Sequence, residues 1–92
     1  MTPVKHAELV NLDATIAAFI IPRLQAFRAI TKTYPADLDF FGQWLAELDL
    51  MIEAFELVVS HSDGTSITAA NPTQDSRPGL RLFAERLEHL WL

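Results

Sequence analysis

With 92 residues, half of them apolar and 21% charged, the chain has the balance of one ordinary globular domain spanning 1–92. A chain this short buries only about 60–65% of its unfolded surface, which predicts a thin stability margin. Cysteine is absent, so disulfides, thiol catalysis and cysteine-ligated metal are excluded. Twelve Asp and Glu against seven Lys and Arg give a net charge of −5, which argues against coating a nucleic-acid polymer.

No apolar run approaches the roughly 18 residues that cross a bilayer; the longest is Ile16 to Ile21. The start, Met1-Thr2-Pro3-Val4-Lys5, lacks the basic region and long apolar core of a signal peptide. The expectation is a cytoplasmic protein without a membrane partner.

The first predicted helix covers about Leu9 to Thr31, where Leu12, Ile16, Phe19, Ile20, Leu24, Phe27 and Ile30 recur at spacings of three and four. Asn11 or Asp13 is placed to cap its start. Pro22 cannot donate to the carbonyl of Ala18 and crowds it, which predicts a kink in one continuous helix. Thr33-Tyr34-Pro35-Ala36 then reads as a turn, because Pro35 biases Tyr34 away from helical geometry.

Asp37 is the predicted N-cap of a second helix over about Leu38 to Ser60. Phe41, Trp44, Leu45, Leu48, Met51, Ile52, Phe55, Val58 and Val59 form its broad apolar face. Ala46, Leu50 and Leu57 fall nearly opposite, where a small bundle normally carries polar residues. This second strip predicts an interface with another chain, hence a homo-oligomer. The alternative is that Leu50 and Leu57 are covered by the third helix or the loop, or stay exposed.

Residues 60–77 are rich in Ser, Thr, Asp, Asn, Gly and Pro and read as a polar loop, with a short piece conceivable at Ile67 to Ala70. A last helix begins near Arg77, capped by Ser76 with Pro78 in its first turn. Leu80, Phe83, Ala84, Leu87, Leu90 and Trp91 make its apolar face. The architecture expected is all-α: a three-helix bundle with a long helical hairpin and a shorter C-terminal helix.

The acids concentrate on the second helix, from Asp37 through Asp39, Glu47, Asp49, Glu53 and Glu56, without one Lys or Arg. Cations lie on the other two, at Arg23, Arg28, Lys32, Arg77, Arg81 and Arg86. The simplest consequence is pairing between neighbouring helices. Arg23 is unusual because it lies on the apolar face, four residues from both Phe19 and Phe27. Two readings stand: a structural bridge to Glu53 or Glu56, or an arginine gripping an anionic ligand. Arg28, Lys32, Tyr34 and Trp44 are the other candidate ligand residues, since cations beside aromatic rings hold a phosphate and a base.

Chemical motifs are sparse. Gly42, Gly64 and Gly79 are too dispersed for a phosphate loop. His6, His61 and His89 are far apart, and the Glu85–His89 pair supplies too few ligands for a metal site. Ser60 and Ser62 flank His61 without a nucleophile elbow. The expectation is a protein that is not an enzyme and needs no cofactor or metal.

The order of landmarks carries a resemblance. Leu12-Asp13, Ile20-Ile21-Pro22-Arg23-Leu24, Phe27, Tyr34-Pro35, Trp44, Met51-Ile52-Glu53-Ala54-Phe55-Glu56, Gly79-Leu80-Arg81-Leu82-Phe83-Ala84 and Leu90-Trp91 resemble a family of small uncharacterised proteins of tailed bacteriophages and prophages. The likeness spans most of the chain outside the 60–77 loop. Leu50 departs from the pattern, where a lysine is usual. The resemblance implies expression in the cytoplasm of an infected bacterium and no particular activity. By analogy of class, three roles follow. One is a counter-defence sponge that sequesters a nucleotide second messenger in pockets of a homo-oligomer. Another is an acidic module that blocks a host enzyme. The third is a phage assembly component.

Overall fold

The computed structural model describes residues 6–62 and 75–91, with only the backbone described at Ala7, Glu8, His61 and Ser62. Its elements are α1 (His6–Val10), α2 (Leu12–Ile30), α3 (Phe41–Ser62) and α4 (Arg77–Arg86), followed by a 3₁₀ turn at Leu87–His89. The architecture is all-α, a helical hairpin with a shorter third helix packed on it, and α1 is a small addition. The predicted piece at Ile67 to Ala70 lies outside the described residues.

α2 runs unbroken through Pro22. It starts after Asn11, whose carbonyl accepts from the Thr15 N–H at 3.0 Å but whose side chain caps nothing. It stops at Ile30 because Thr31 turns extended, with ψ at 142°, while its N–H still reaches the Phe27 carbonyl at 2.8 Å. The Thr31 hydroxyl is buried and donates to the Thr33 carbonyl at 3.3 Å.

The connection to α3 is longer than the predicted Thr33–Ala36 turn, because α3 begins at Phe41 rather than Leu38. Asp37 is therefore not its cap. Residues 36–40 fold into turns and bends, held by the Leu38 N–H on the Pro35 carbonyl at 3.0 Å. The Gln43 side chain reaches back to accept from the Asp39 N–H at 2.6 Å, satisfying a donor ahead of the first turn. At α4, Ser76 occupies the cap position without using its hydroxyl. The Asp75 carboxylate takes over, accepting from the Arg77 N–H at 2.9 Å, with Pro78 tolerated beside it.

Ala17, Leu24, Trp44, Leu48, Met51, Ile52 and Phe55 form the core. The Phe27 ring, near the end of α2, meets Trp44, near the start of α3, edge to face at 6.4 Å, as an antiparallel hairpin requires. Phe83 of α4 meets Phe55 in the same way at 5.0 Å. The α3 face read from the sequence is the buried one. α4 crosses α3 at Gly79, where an added Cβ would lie 2.5 Å from the Ala54 Cβ and 2.5 Å from the Leu50 carbonyl oxygen.

α2 is rotated in part from its predicted orientation: of the predicted face, Leu24 lies in the core and Ile20 and Phe27 pack against it, while the rest turns outward. Ala17 and Leu24 are its buried residues, whereas Leu12, Ile16, Phe19 and Ile30 are each about half exposed, at 46%, 48%, 59% and 56%. On a wheel of 100° per residue, the buried side is centred roughly 120° from the Leu12–Ile30 line. Spacing of three and four is shared by adjoining stripes on one apolar helix, so it does not say which stripe the core takes.

Candidate interaction surface

The rotation of α2 leaves a face whose residues no other described element covers. Leu12, Ile16, Phe19, Arg23, Ala26 and Ile30 lie in one line and all are exposed. Arg23 sits mid-line, and here the structure corrects the expected bridge. No ion pair joins it to Glu53 or Glu56, both of which are exposed on α3. Because the stripe faces solvent, the guanidinium needs no buried acid. It folds back on its own helix, with one Nη donating to the Phe19 carbonyl at 2.8 Å and Cζ 3.6 Å from the Phe19 ring centroid.

Beside this line, α2 and α4 enclose a groove of about 470 Å³. Phe19, Ile20, Arg23, Leu24 and Phe27 form one wall, and Phe83 with Leu87 and Leu90 forms the other. Seven of these side chains are apolar, and Arg23 at the lip is the one charge. Leu87 is 57% exposed, so the groove opens onto the α2 stripe. Phe83, Leu87 and Leu90 were legible as an apolar face, but nothing in the sequence paired them with α2.

The structure does not bring the five candidate ligand residues together. Trp44 is 1% exposed and belongs to the core, which removes it from any stacking role. Arg28 is held by Asp49: Nη2 donates at 3.1 Å, while the buried Nε lies 2.7 Å from Oδ1 without hydrogen-bond alignment. Lys32 and Tyr34 are exposed in the connection. Tyr34 packs edge to face on Phe41 at 6.3 Å and shares a cleft of about 50 Å³ with Thr33, Pro35, His89 and Trp91. Ligand pockets usually hold about 300–1,000 Å³, so this cleft does not enclose a nucleotide.

The predicted interface strip is only partly covered by α4. Ala46 and Leu50 are exposed and Leu57 is half-buried. Leu50 and Leu57, with Ala54, border a crevice against Pro78 and Gly79.

Neighbouring helices are joined by ion pairs, as the charge distribution suggested. Arg86 is the strongest node. Its Nη1 and Nη2 donate to the two Asp37 oxygens at 2.8 and 2.9 Å, while Nε and Nη2 donate to Glu47 at 2.8 and 3.2 Å. Hydrogen bonding to Asp37 and then to Glu47 pushes the guanidinium pKa well up, and the same bond holds the Asp37 carboxyl below its ordinary 3.8. Arg77 likewise lowers Asp75 through two-oxygen pairing. Asp37, Glu47 and Asp49 are thus occupied by the chain's own arginines. The acidic run offers an outside partner less free charge than its composition implied.

Among the described residues, no group of three or more His, Asp or Glu is placed to hold a metal, and no helix is long and apolar enough to cross a membrane. Fold and surface together define a small helical bundle with an exposed apolar face and groove. Comparisons with protein-family models, curated proteins and solved structures find no match to this chain.

Proposed function

We infer that this chain is a non-enzymatic binding protein that receives an apolar helix from a protein partner between α2 and α4. The groove carries the reading: about 470 Å³ of apolar wall with one guanidinium at its lip. Helix-in-groove recognition needs an apolar trough for residues at i, i+3, i+4 and i+7, plus polar groups to set direction. Arg23 has donors left beyond its bond to Phe19, and they suit a carboxylate on the incoming helix. The reading asks for no chemistry on the bound segment. The resemblance to small phage proteins suggests a setting, the bacterial cytoplasm, and by analogy of class alone a role of occupying a host protein.

Two labelled amphipathic peptides, identical except for a terminal Glu or Lys, test this by fluorescence anisotropy. The Glu peptide is expected to bind about tenfold tighter, a difference of about 1.4 kcal/mol. Leu87→Asp removes binding of both, and Arg23→Glu reverses the preference. Binding of neither peptide at about 100 μM, or equal binding to Leu87→Asp, overturns the reading.

A second reading is the nucleotide sponge, supported by exposed Tyr34 beside His89 and Trp91 and by exposed Lys32 two residues before it in the chain. It requires a second copy to complete the small cleft. A thermal-shift panel of cyclic and linear nucleotides decides it: a rise in melting temperature abolished by Tyr34→Ala supports it, and no rise rejects it.

A further inference from the structure

The α2 stripe says more than that a partner docks there. Its residues, Leu12, Ile16, Phe19, Arg23, Ala26 and Ile30, are separated by four, three, four, three and four positions. That is the alternation of a coiled-coil seam. It also reads identically in both directions. We propose that a second copy of this chain occupies the face, with α2 pairing antiparallel to α2 of its partner about a two-fold axis near Ile21. Every seam residue then meets another seam residue: Leu12 opposite Ile30, Ile16 opposite Ala26, and Phe19 opposite Arg23. The pairs match two aliphatic side chains of equal size, a larger side chain with a smaller one, and a ring with a cation. A two-fold contact requires this self-complementarity. The proposal rests on the same apolar face as the binding reading and names what sits there when no other partner does.

Charge selects both the partner and the direction. The chain carries −5 overall, so two copies repel through most of their surfaces. α2, with Asp13, Arg23 and Arg28 (net +1), and α4, with Arg77, Arg81, Arg86 and Glu85 (net +2), are the exceptions, and of the two it is α2 that carries the exposed apolar seam. α3 carries Glu47, Asp49, Glu53 and Glu56 without a base and is a poor face for self-association. A parallel pair would bring Arg23 against the partner's Arg23 at the middle of the seam. The antiparallel pair sets each guanidinium over the partner's Phe19 ring, the geometry it already adopts at 3.6 Å within one chain. Covering the half-exposed stripe and Leu87 on both copies removes on the order of 1,200 Å², the lower edge of specific interfaces. At that size the dimer is expected to be reversible.

Because the chain has no cysteine, Ile16→Cys and Ala26→Cys can be prepared as separate single-thiol proteins. Both positions are exposed, so the core is untouched, and circular dichroism checks helicity. Oxidation of the two mixed together should give a covalent dimer containing one of each, with little product from either alone. Phe19→Asp should weaken the wild-type dimer at least tenfold in sedimentation equilibrium. Equal cross-linking of each variant alone, no cross-linking in the mixture, or a 10.3 kDa monomer at about 0.5 mM overturns the proposal. Peptide binding by such a monomer would leave the groove reading standing. Wild-type chain that dimerises reversibly, yet neither binds nor is dissociated by a large excess of either peptide, would leave this inference standing and remove that reading.

Discussion

Gly79 shows how much one hydrogen atom in place of a methyl matters. An alanine there would place Cβ 2.5 Å from both the Ala54 methyl and the Leu50 carbonyl, well inside contact distance. Helix propensity favours alanine by about 1 kcal/mol, but overpacking costs about 1–3 kcal/mol. We expect Gly79→Ala to lower the melting temperature by about 5–10 °C in a scanning calorimetry trace, with α4 forced off α3. Trp44 marks the opposite extreme. Truncation to alanine empties the largest core site and costs about 3–5 kcal/mol, most of the reserve of a chain this size. Trp44→Ala is therefore expected to lose its cooperative urea transition, whereas Tyr34→Ala and Arg23→Glu, both at exposed positions, leave the midpoint nearly unchanged.

Among the described elements, α4 carries the most ion pairs. Arg86 ties it to Asp37 and Glu47, and Asp75 anchors its first turn. Both aspartates have folded-state pKa values below the ordinary 3.8. A depressed carboxyl contributes stability that is fully present above its unfolded value and is lost as pH falls through the folded one. Loosening of α4 should therefore begin only below about pH 4, read as Phe83 and Leu87 amide exchange rising before that of Leu48. Asp37→Asn should flatten the acid limb without shifting behaviour near neutrality through any new titration. Arg86→Ala leaves Glu47 half-buried and unpaired, and should cost about 1–2 kcal/mol in urea unfolding at pH 7.

The elements also mark how far sequence reasoning reached. The α3 face was legible because its apolar residues far outnumber what any competing stripe offers. α2 was not, because apolar residues occupy two adjoining stripes, and only the position of α3 chooses between them. Arg23 looked anomalous for that reason alone: on a solvent-facing stripe it has no desolvation to offset. The Arg86 node joins residues 39 and 49 positions apart, a separation at which no spacing rule operates. Asp37 was likewise drawn away from helix capping by a partner nearly half the chain later.

Taken as a whole, the molecule places its acids and its grease on different sides. α3 supplies the centre of the core and, on its outer side, four acids without one Lys or Arg, while α2 offers an apolar margin with one cation in it. Measured thermal stability should consequently rise with protein concentration, by about 1–2 °C per tenfold if association is micromolar, and should do so in high salt as well as low. Loss of that dependence in Phe19→Asp would assign it to the α2 face.

The two tryptophans sit in opposite surroundings, Trp44 sealed at 1% exposure and Trp91 open at 69% beside the Tyr34 cleft. Their fluorescence should accordingly separate without any label. Trp91→Phe leaves a blue emitter shielded from acrylamide, which reports whether the interior is intact. Trp44→Phe leaves a red, quenchable one, which dims or brightens only when something settles over the C-terminal end. One cuvette can thus distinguish unfolding from occupancy.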